Sequence, residues 1–336
     1  MERVDMLNHQ CVLITGGTGS FGRAFVRYIL KNFPDVKKII IFSRDEQKQH
    51  EMAAEISPKI YPVKYMLGDV RDIERLRVVT KGVDILIHSA AMKHVPASEQ
   101  NPMEAVKTNI LGSQNIIDAA LANGVRRVVA LSTDKSTYPI NVYGATKLLL
   151  EKLFVFADAE KMEQDIRFSV VRYGNIFGSK GSVVPFFLKK RAEGMLPITD
   201  ARMTRFSITM QESIDLVMYA LEKGWGGEIV VPIAPSYRIT DVAAAIAPEA
   251  EHRIVGMRQG EKLDEIMTTG SESAQTVKRD RYYIVCPEAG SWNRDEYCKK
   301  TNAVPVENGF EYDSGTNPEW LTVEQIKRLV ETESIL

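Results

Sequence analysis

The sequence has 336 residues, of which 44% are hydrophobic and 26% charged, as in a globular protein with a sizeable core. Its 43 lysines and arginines nearly balance 44 aspartates and glutamates, and this net charge of −1 argues against nucleic acid as a partner. Three cysteines without CxxC spacing favour a reducing compartment over a disulfide framework or a zinc knuckle. The N-terminus does not resemble a signal peptide, and no apolar run approaches the ~20 residues of a membrane span, so we expect a cytoplasmic protein.

The first half of the chain alternates short β-branched runs with helical patterns. We predict strands at Cys11–Thr15, Lys38–Phe42, Val63–Leu67, Val83–His88, Arg127–Ser132 and Arg167–Arg172. Helical spacing predicts one helix through Phe21, Phe25 and Ile29, and others at Asp45–Ile56, Asp72–Thr80, Met103–Asn123 and Gln211–Glu222. Apolar strands separated by helices indicate a parallel sheet covered on both faces. The predicted fold class is therefore α/β, with a doubly wound parallel sheet of the Rossmann type.

The pattern loosens after Gly174, where glycines and prolines interrupt it. Pro197 and the stretch Met203–Phe206 are predicted as loops. We expect a smaller substrate-binding domain that is interleaved with the dinucleotide-binding domain. The Rossmann domain would comprise residues 1–175 plus about 209–240, and the substrate-binding domain residues 176–208 and 241–336.

A glycine-rich turn follows the first predicted strand. Glycines at 16, 19 and 22 permit a tight turn, close approach of a pyrophosphate and close helix–strand packing. The following helix N-terminus favours phosphate charge. The GxxGxxG pattern alone also fits a turn without ligand, but its position between a strand and a helix favours a nucleotide. The predicted cofactor contacts in this turn are Gly16, Thr18, Gly19, Ser20, Phe21 and Gly22.

The end of the second predicted strand favours NADP over NAD. An acidic residue there would bind the ribose 2′-hydroxyl, whereas this chain has Ser43, Arg44 and Lys48, which can bind a 2′-phosphate. Asp45 is the residue that fits NAD, although it could instead cap the following helix. The pair Asp69-Val70, after the third strand, is placed either to touch the adenine or to cap a strand end.

A tyrosine and a lysine with YxxxK spacing follow the fifth predicted strand. Tyr143 and Lys147 share one face of a helix, where the lysine would lower the pKa of the phenol and let it act as a base. The pattern alone is weak, because Tyr219 and Lys223 also match it. Only the first pair follows the carboxyl end of a sheet strand, which is where open α/β sheets bind ligands.

The glycine-rich turn, the YxxxK pair and Arg172–Asn175 (RYGN) together resemble the extended short-chain dehydrogenase/reductases that act on nucleotide sugars. More narrowly, the chain is similar to the inverting UDP-N-acetylglucosamine 4,6-dehydratases that begin pseudaminic acid synthesis. The likeness covers about 260 contiguous residues and is specific in combination. It is carried by SRDEQKQ (Ser43–Gln49), GDVRD (Gly68–Asp72), MKHVP (Met92–Pro96), STDK (Ser132–Lys135), PINVYGATK (Pro139–Lys147), GSVVPFF (Gly181–Phe187), PITDARMTRF (Pro197–Phe206) and GMRQGEKLDE (Gly256–Glu265).

The resemblance implies the roles of five catalytic residues. Tyr143, helped by Lys147 and Thr133, would take the 4-hydroxyl proton while NADP⁺ accepts hydride from C4, and hydride would later return to C6. Lys135 would be the C5 base and Asp134 the acid that assists departure of the C6 hydroxyl, because retaining relatives carry Asp-Glu where this chain has Asp-Lys. A lysine base requires a pKa well below ~10.4, which we expect from burial, Lys147 and the nicotinamide.

The resemblance also implies the remaining contacts. To the cofactor contacts it adds Ala90, Ala91, Lys93, Tyr143 and Lys147. For the UDP-sugar it implies Lys93, Asn175, Val183, Val184, Thr199, Met203, Arg205, Arg258 and Glu261. Arg205 and Arg258 suit a diphosphate clamp, because guanidinium pairs bidentately with phosphate. No metal is implied, and neither His88 nor His94 has partners at ligand spacing. The family suggests a homo-oligomer, either a dimer or a hexamer of dimers.

Two departures from the family pattern concern the sugar. Gln259 replaces a usual proline, and Ser136-Thr137-Tyr138 replaces an Ala-rich triplet. Alternative functions on the same fold are a UDP-sugar 4-epimerase and a capsule-type 5-epimerase/dehydratase, neither of which requires Asp134 and Lys135 to perform elimination. A catalytically silent NADP-binding regulator is a third alternative, but such proteins typically lose one member of the Tyr143/Lys147 pair.

Overall fold

The computed structural model describes residues 5–179, 181–290 and 292–333. Strands in these residues are β1 (Cys11–Thr15), β2 (Lys38–Ser43), β3 (Val63–Leu67), β4 (Ile85–His88), β5 (Arg127–Leu131), β6 (Arg167–Val171), β7 (Asn175–Ile176), β8 (Met195–Ile198), β9 (Thr204–Ile208), β10 (Ile229–Pro232), β11 (Ser236–Arg238), β12 (Glu251–Ile254), β13 (Ile266–Thr268), β14 (Thr276–Arg279), β15 (Tyr282–Val285), β16 (Val304–Pro305) and β17 (Tyr312–Asp313).

Helices in the same residues are α1 (Ser20–Asn32), α2 (Glu46–Glu55), α3 (Ile73–Val79), α4 (Val95–Gln100), α5 (Pro102–Ala105), α6 (Gly112–Asn123), α7 (Val142–Glu160), α8 (Val183–Lys190), α9 (Met210–Lys223), α10 (Ile239–Ile246), α11 (Arg294–Thr301) and α12 (Val323–Glu333). A π-helical segment, Val106–Leu111, joins α5 to α6, so the helix predicted for Met103–Asn123 is continuous but irregular. No helix in the described residues is long and apolar enough to cross a membrane.

A ten-stranded sheet forms the centre of the molecule, in the order β16-β14-β15-β10-β6-β5-β4-β1-β2-β3. The strands from β10 to β3 are parallel, and β15, β14 and β16 continue the sheet antiparallel. The chain leaves β1 for β2 on one side and later returns to β4 on the other. Ligands of doubly wound sheets bind at the carboxyl ends beside such a switch point. The predicted fold class is confirmed.

The core has one large cluster on each face of this sheet and a smaller third cluster. Buried residues of α1 and α9 cover one face, and those of α6 and α7 cover the other. Strands β1, β4, β5 and β6 are buried along nearly all of their length, and most of their residues are apolar because both faces of the sheet are covered. The third cluster joins α8, α10 and α12 and contains Phe187, Val242 and Ile326.

Two predictions for the second half of the chain were wrong. Pro197 lies in β8 rather than in a loop, and β8 pairs with β12 alone, so the missing proline N–H leaves no ladder bond unmade. Most of the stretch Met203–Phe206 lies in β9, which is buried throughout between β7 and β11. Its alternating charged and hydroxyl residues obscured the strand in the sequence.

Three strands within the residues assigned to the substrate-binding domain lie in the central sheet. Residues 241–336 were assigned to the substrate-binding part, whereas β14, β15 and β16 extend the central sheet. Val277 and Ile284 on these strands belong to the large core cluster. They are short and antiparallel, and no helix separates β14 from β15, so they lack the strand–helix alternation by which β1 to β6 were predicted.

Candidate active site

The glycine-rich turn between β1 and α1 is shaped for close approach of a ligand. Gly16 has a φ of +64°, and a Cβ there would lie 2.9 Å from Cα of Ala90. A Cβ on Gly22 would lie 2.5 Å from Gly17, so α1 can pack against the turn only with glycine there. Gly19 is the N-cap and offers no side chain to the first turn of α1. The turn therefore fits a dinucleotide pyrophosphate.

The other predicted residues of this turn differ in what they can offer a cofactor. Thr18 is buried and Ser20 is exposed at the start of α1. The ring of Phe21 stacks on Phe25 in the core, with centroids 5.5 Å apart, so only the Phe21 backbone faces the turn. Ala90, against Gly16, and Ala91 line the carboxyl end of β4, and Lys93 is exposed before α4.

The end of β2 and the residues that follow it contain one buried hydroxyl, that of Ser43, and two cationic side chains, Arg44 and Lys48. Ser43 is buried, and its Oγ accepts a 3.0 Å hydrogen bond from Gln49 Nε2, which leaves the hydroxyl proton for another acceptor. Arg44 is exposed, with Nη1 3.8 Å from Asp69 Oδ2. Asp45 caps α2 by accepting from the Lys48 backbone N–H at 3.0 Å, and it also pairs with Lys48 Nζ at 2.8 Å. Asp45 therefore has the capping role that the sequence left open.

Asp69 and Val70 follow β3 in different environments. Asp69 accepts hydrogen bonds from the side chain and backbone of Arg71, and these bonds hold the pKa of its carboxyl below the usual range against the opposing effect of burial. Val70 is buried against Gly112, and its carbonyl accepts from Asn115. At Asp69 both carboxylate oxygens thus already have partners.

Residues Thr133–Ser136 follow β5 after one residue, and we call them the catalytic turn because the sequence analysis expects catalytic residues there. Thr133 Oγ1 donates to Asp134 Oδ1 at 2.9 Å, and the Asp134 carboxylate is fully buried. Three oxygens surround Lys135 Nζ: Asp134 Oδ1 at 2.9 Å, Glu265 Oε1 at 3.2 Å and Asn175 Oδ1 at 3.3 Å. They match the three N–H bonds of an ammonium group.

The expected fall in the pKa of Lys135 does not occur in this structure. Burial lowers the pKa of Lys135, but the carboxylates of Asp134 and Glu265 raise it by more, so it lies above the usual value. Arg205 is a positive group that lowers the pKa of Lys135. The sequence analysis did not identify Glu265, whose charge changes the balance. Lys135 is therefore an ammonium ion before the reaction begins.

Tyr143 and Lys147 lie one helical turn apart at the start of α7. Burial raises the pKa of Tyr143 to about 12, while Lys135 and a hydrogen bond with Thr133 lower it in part. Lys147 donates to the carbonyl of Leu131, and burial lowers the pKa of its ammonium to about 8. In this structure the cation that favours the phenolate is Lys135 rather than the expected Lys147. The second YxxxK tyrosine, Tyr219, stacks on Tyr282 instead.

Two residues that the sequence analysis did not assign hold this helix against the catalytic turn. Asn141 caps α7 by accepting from the Gly144 N–H at 2.7 Å, and it donates to the Gly260 carbonyl at 2.8 Å. A Cβ on Gly144 would lie 2.1 Å from the Lys135 carbonyl oxygen. Glycine at 144 is therefore required for the turn and the helix to touch. In the sequence, a glycine directly after the YxxxK tyrosine could have indicated that another backbone approaches the helix closely at that position.

A buried ion network supports the catalytic turn from below. Ser136 Oγ donates to Glu151 Oε1 at 2.7 Å, and Arg172 pairs with Glu151 at 2.7 Å and Glu272 at 2.8 Å. Burial lowers the pKa of Arg172, but the two carboxylates raise it further, so the guanidinium stays charged. Thr137 Oγ1 also donates to the carbonyl of Asp134. Ser136 and Thr137, which depart from the family pattern, thus stabilise the conformation of the turn through hydrogen bonds of their hydroxyls.

The residues expected to bind a nucleotide sugar lie on several elements around the turn. Val183 and Val184 form the first turn of α8, and Thr199 follows β8. Met203 is buried in the third core cluster, so its side chain is part of the packing. Arg205 is buried and donates to the carbonyls of Thr204, Lys262 and Leu263. Arg258 is exposed and pairs with Glu261, beside which Gln259 is also exposed.

The two histidines near the carboxyl edge have different surroundings. His88 is buried, with Nδ1 2.9 Å from Thr15 Oγ1 and Nε2 3.1 Å from Ser113 Oγ. Burial and Lys147 lower the pKa of its imidazole to about 3, so His88 is neutral. His94 is exposed beside Gly181. Residues 5–179, 181–290 and 292–333 contain no group of three or more metal-ligating side chains.

Comparison with known proteins shows which family the chain belongs to. A family model described as "polysaccharide biosynthesis protein" matches residues 12–287. A Campylobacter jejuni protein named UDP-N-acetylglucosamine 4,6-dehydratase (inverting) is 47% identical over 332 residues, covering 97% of this chain and 98% of its own. The chain belongs to the inverting UDP-N-acetylglucosamine 4,6-dehydratase family. It is accordingly an enzyme of the nucleotide-sugar dehydratase class.

Other relatives of this dehydratase-family chain are solved structures and epimerases. Pen from Bacillus thuringiensis is 32% identical, with a TM-score of 0.89 and coverage of 98% of this chain and 99% of its own. DesIV from Streptomyces venezuelae, a dTDP-glucose 4,6-dehydratase solved with NAD, shares the fold at a TM-score of 0.69 and 21% identity, covering 96% of each chain. A UDP-glucose 4-epimerase of Rickettsia bellii is 41% identical over 300 residues, 87% of each chain.

Proposed function

We propose that this dehydratase-family enzyme acts on UDP-N-acetylglucosamine with NADP, removes water across C5 and C6, and inverts C5. The product would be UDP-2-acetamido-2,6-dideoxy-β-L-arabino-hexos-4-ulose, and the reaction would be the first step of pseudaminic acid synthesis. The observation that carries the proposal is the buried Asp134–Lys135 pair, 2.9 Å apart beside Tyr143. Oxidation at C4 needs a tyrosine base alone, whereas elimination needs an additional acid and base.

The cofactor would bind over the glycine-rich turn, with its 2′-phosphate at Ser43, Arg44 and Lys48. These three residues supply one hydroxyl donor and two cations, and Asp45 is already engaged as the cap of α2. When bound, the nicotinamide supplies hydride acceptance from C4 and hydride return to C6, so no net oxidation occurs. Ala90, Ala91 and Lys93 would lie along the same binding cleft.

Tyr143 would take the 4-hydroxyl proton, assisted by Thr133. Burial holds the phenol neutral, and the cations of Lys135 and a bound nicotinamide would lower its pKa toward a working range. Before this step the phenol would give its own proton to the neutral amine form of Lys147, which lies one turn behind it and has a pKa of about 8, so that the phenolate is available as the base. The 4-keto group that results acidifies the hydrogen on C5.

Elimination would follow by proton transfer within the Asp134–Lys135 pair. The Lys135 ammonium first gives one proton to the Asp134 carboxylate, 2.9 Å away. The neutral amine then takes the C5 proton, the C5–H electron pair forms the C5=C6 bond, and the C6–O bond breaks. Asp134 returns its proton to the departing hydroxyl as water, and both side chains regain their resting charges. The raised pKa of Lys135 is compatible with this cycle, because no proton has to be lost to solvent beforehand.

Substrate binding would use the residues around the third core cluster. Asn175, 3.3 Å from Lys135 Nζ, would orient the sugar at the catalytic turn. Arg258 is exposed and can turn from Glu261 toward a diphosphate. Arg205 already donates to three backbone carbonyls, so it would bind phosphate only through its remaining N–H groups. Val183 and Val184 would offer backbone groups, and Lys93, Thr199, Met203 and Glu261 would line the remainder.

We further propose the domain division given by the sequence, amended so that β14 to β16 belong to the dinucleotide-binding domain. We also propose that the protein is a homo-oligomer of two or six chains in the cytoplasm.

A UDP-sugar 4-epimerase is the second candidate function, favoured by the 41% identity to the Rickettsia bellii protein. The epimerase would use Tyr143 and Lys147 but would release no water.

The test is incubation of the purified protein with UDP-N-acetylglucosamine and NADP⁺, followed by mass spectrometry of the sugar nucleotide. We expect loss of one water with no net cofactor reduction. A product of unchanged mass with altered C4 configuration would favour the epimerase instead. A matched control is Lys135→Met, in which the mass should stay that of the substrate while the fold is retained.

A further inference from the structure

Glu265 is a buried carboxylate in the site, and it has no role in the proposed reaction as described so far. It lies directly before β13 and is 2% exposed. Its Oε1 lies 3.2 Å from Lys135 Nζ and 3.8 Å from Arg205 Nε, and Lys262 Nζ lies 3.9 Å from its Oε2. That Oε2 accepts no hydrogen bond from the described residues. A buried charge with an unsatisfied oxygen is costly and calls for a role.

The backbone fixes where this carboxylate stands. The Glu265 N–H donates to Ser314 Oγ at 2.9 Å, and its carbonyl accepts from the Ser314 N–H at 2.9 Å. The neighbouring Asp264 accepts from Thr204 Oγ1 at 2.6 Å, which ties the same segment to β9. The backbone from which the Glu265 side chain reaches Lys135 is therefore fixed by hydrogen bonds to two other segments.

The proposed reaction requires two acceptors for Lys135 besides Asp134. Once Asp134 has taken a proton, the Lys135 amine keeps two N–H bonds and one lone pair. Glu265 Oε1 and Asn175 Oδ1 are the two oxygens that remain to hold those bonds. With both N–H bonds held, the lone pair of the amine has a defined direction.

We propose that Glu265 is a positioning residue for Lys135, holding its nitrogen in place during the reaction and stabilising its ammonium form in the resting enzyme, a role that rests on the proposed dehydration. The charged and titratable groups that face Lys135 from all packed elements are Asp134, Tyr143, Arg205, Tyr237, Lys262 and Glu265. Among them, Glu265 and Asp134 are the two carboxylates.

The test compares Glu265→Gln and Glu265→Asp with the native enzyme. Removing the Glu265 charge should lower the pKa of Lys135, so the alkaline limb of dehydration kcat should move to lower pH by about one unit or more. The plateau should fall at least tenfold, with KM for UDP-N-acetylglucosamine little changed. Glu265→Asp keeps the charge and should restore the native alkaline midpoint, although not the full plateau. Glu193→Gln, an exposed carboxylate paired with Lys190, is the matched control.

A second readout does not depend on activity. NMR titration of ε-¹⁵N-lysine protein, with the Lys135 signal assigned by Lys135→Met, should show the same downward shift in Glu265→Gln. Equal losses in C4 oxidation and dehydration with an unchanged Lys135 titration would overturn the proposal and leave Glu265 a structural residue. If the native enzyme releases no water, the proposed function itself fails, and that result is seen before any variant is compared.

Discussion

At the scale of single residues, the chemistry depends on how burial and charge combine at Lys135. Burial alone would favour a neutral amine, but two carboxylates within 3.2 Å favour the ammonium. Tyr143 shows the same competition with the opposite charge, since burial disfavours its phenolate and Lys135 favours it. In the proposed reaction, the Lys135 cation would therefore assist both the phenol of Tyr143 and the carboxylate of Asp134, and it would link the oxidation at C4 to the elimination at C5.

Substitution of these two residues should separate the half-reactions. Tyr143→Phe removes the base for C4 oxidation, so both water loss and transient NADPH absorbance should disappear. Lys135→Met removes only the C5 base, so water loss should fall at least 10²-fold while some substrate-dependent absorbance at the NADPH band remains. Stopped-flow absorbance with mass spectrometry measures both. Native-rate dehydration by Lys135→Met would show that the lysine has no part in elimination.

The cofactor prediction concerns Arg44. Loss of a charge-assisted hydrogen bond to the 2′-phosphate should cost ~1.5–3 kcal/mol, so Arg44→Ala should weaken NADP⁺ binding more than tenfold. NAD⁺ binding should barely change, and isothermal titration calorimetry measures both. Arg77→Ala, an exposed arginine paired with Glu74, is the control. Equal affinity of the native protein for NADP⁺ and NAD⁺ would refute the assignment.

At the scale of elements, the site depends on how closely α7 approaches the turn after β5. The Lys135 carbonyl oxygen lies over the first turn of α7 at the point where Gly144 has no side chain. Asn141 satisfies the N–H of Gly144 and reaches Gly260 on the far side, so one residue joins α7 to the segment that leads to Glu265. Elements distant in sequence are therefore brought together by backbone contacts.

Gly144→Ala should disrupt this contact. The new methyl group would lie 2.1 Å from the Lys135 oxygen, so α7 and the turn would have to move apart, which would disturb the Asn141 cap of α7. We expect dehydration to fall at least 10²-fold, with a lower Tm measured by differential scanning calorimetry. Ala145→Ser, on the exposed side of the same turn, should change neither quantity much. A fully active Gly144→Ala protein would contradict the required contact.

The sequence predicted the elements that follow strong periodic patterns and missed those that depend on tertiary partners. The bounds of β1 were predicted to the residue because this strand is buried on both faces. The bounds of β3 were also predicted, although this edge strand is only partly buried and contains the exposed Lys64. In contrast, β8 and β9 contain proline and charged residues that are tolerated only because of their particular neighbours. At the site, Lys135 could be identified from the resemblance of the chain to the dehydratase family. Its protonation depends in part on Glu265, which lies 130 positions away in the chain and which no local sequence pattern reveals.

At the scale of the whole molecule, a buried neutral histidine links stability to pH. The pKa of His88 is lowered from 6.5 to about 3 in the folded state, so its contribution to stability is complete above pH ~6.5 and is lost as the pH falls toward 3. The reason is that the unfolded chain binds a proton at His88 that the folded chain excludes. The slope from this residue is about 1.4 kcal/mol per pH unit.

Replacing His88 should therefore flatten the acid side of the stability profile. His88→Gln loses some packing against Phe154 and should be less stable at pH 7, but its free energy of unfolding should fall less steeply between pH 6 and 4. Urea denaturation followed by circular dichroism at several pH values measures the slope. His50→Gln, on an exposed face of α2, should keep the native slope. An equal slope in His88→Gln would mean that the folded imidazole takes up its proton normally.

Elimination with inversion at C5 can be tested directly by NMR of the product formed in D₂O. We expect one deuterium at C5, the hydrogen originally on C4 delivered to C6, and an NMR-determined L-arabino configuration at C5. A D-xylo product with C5 retained would contradict the stereochemical role of the Asp134–Lys135 pair, and a product that retains its C6 hydroxyl would contradict the dehydration itself.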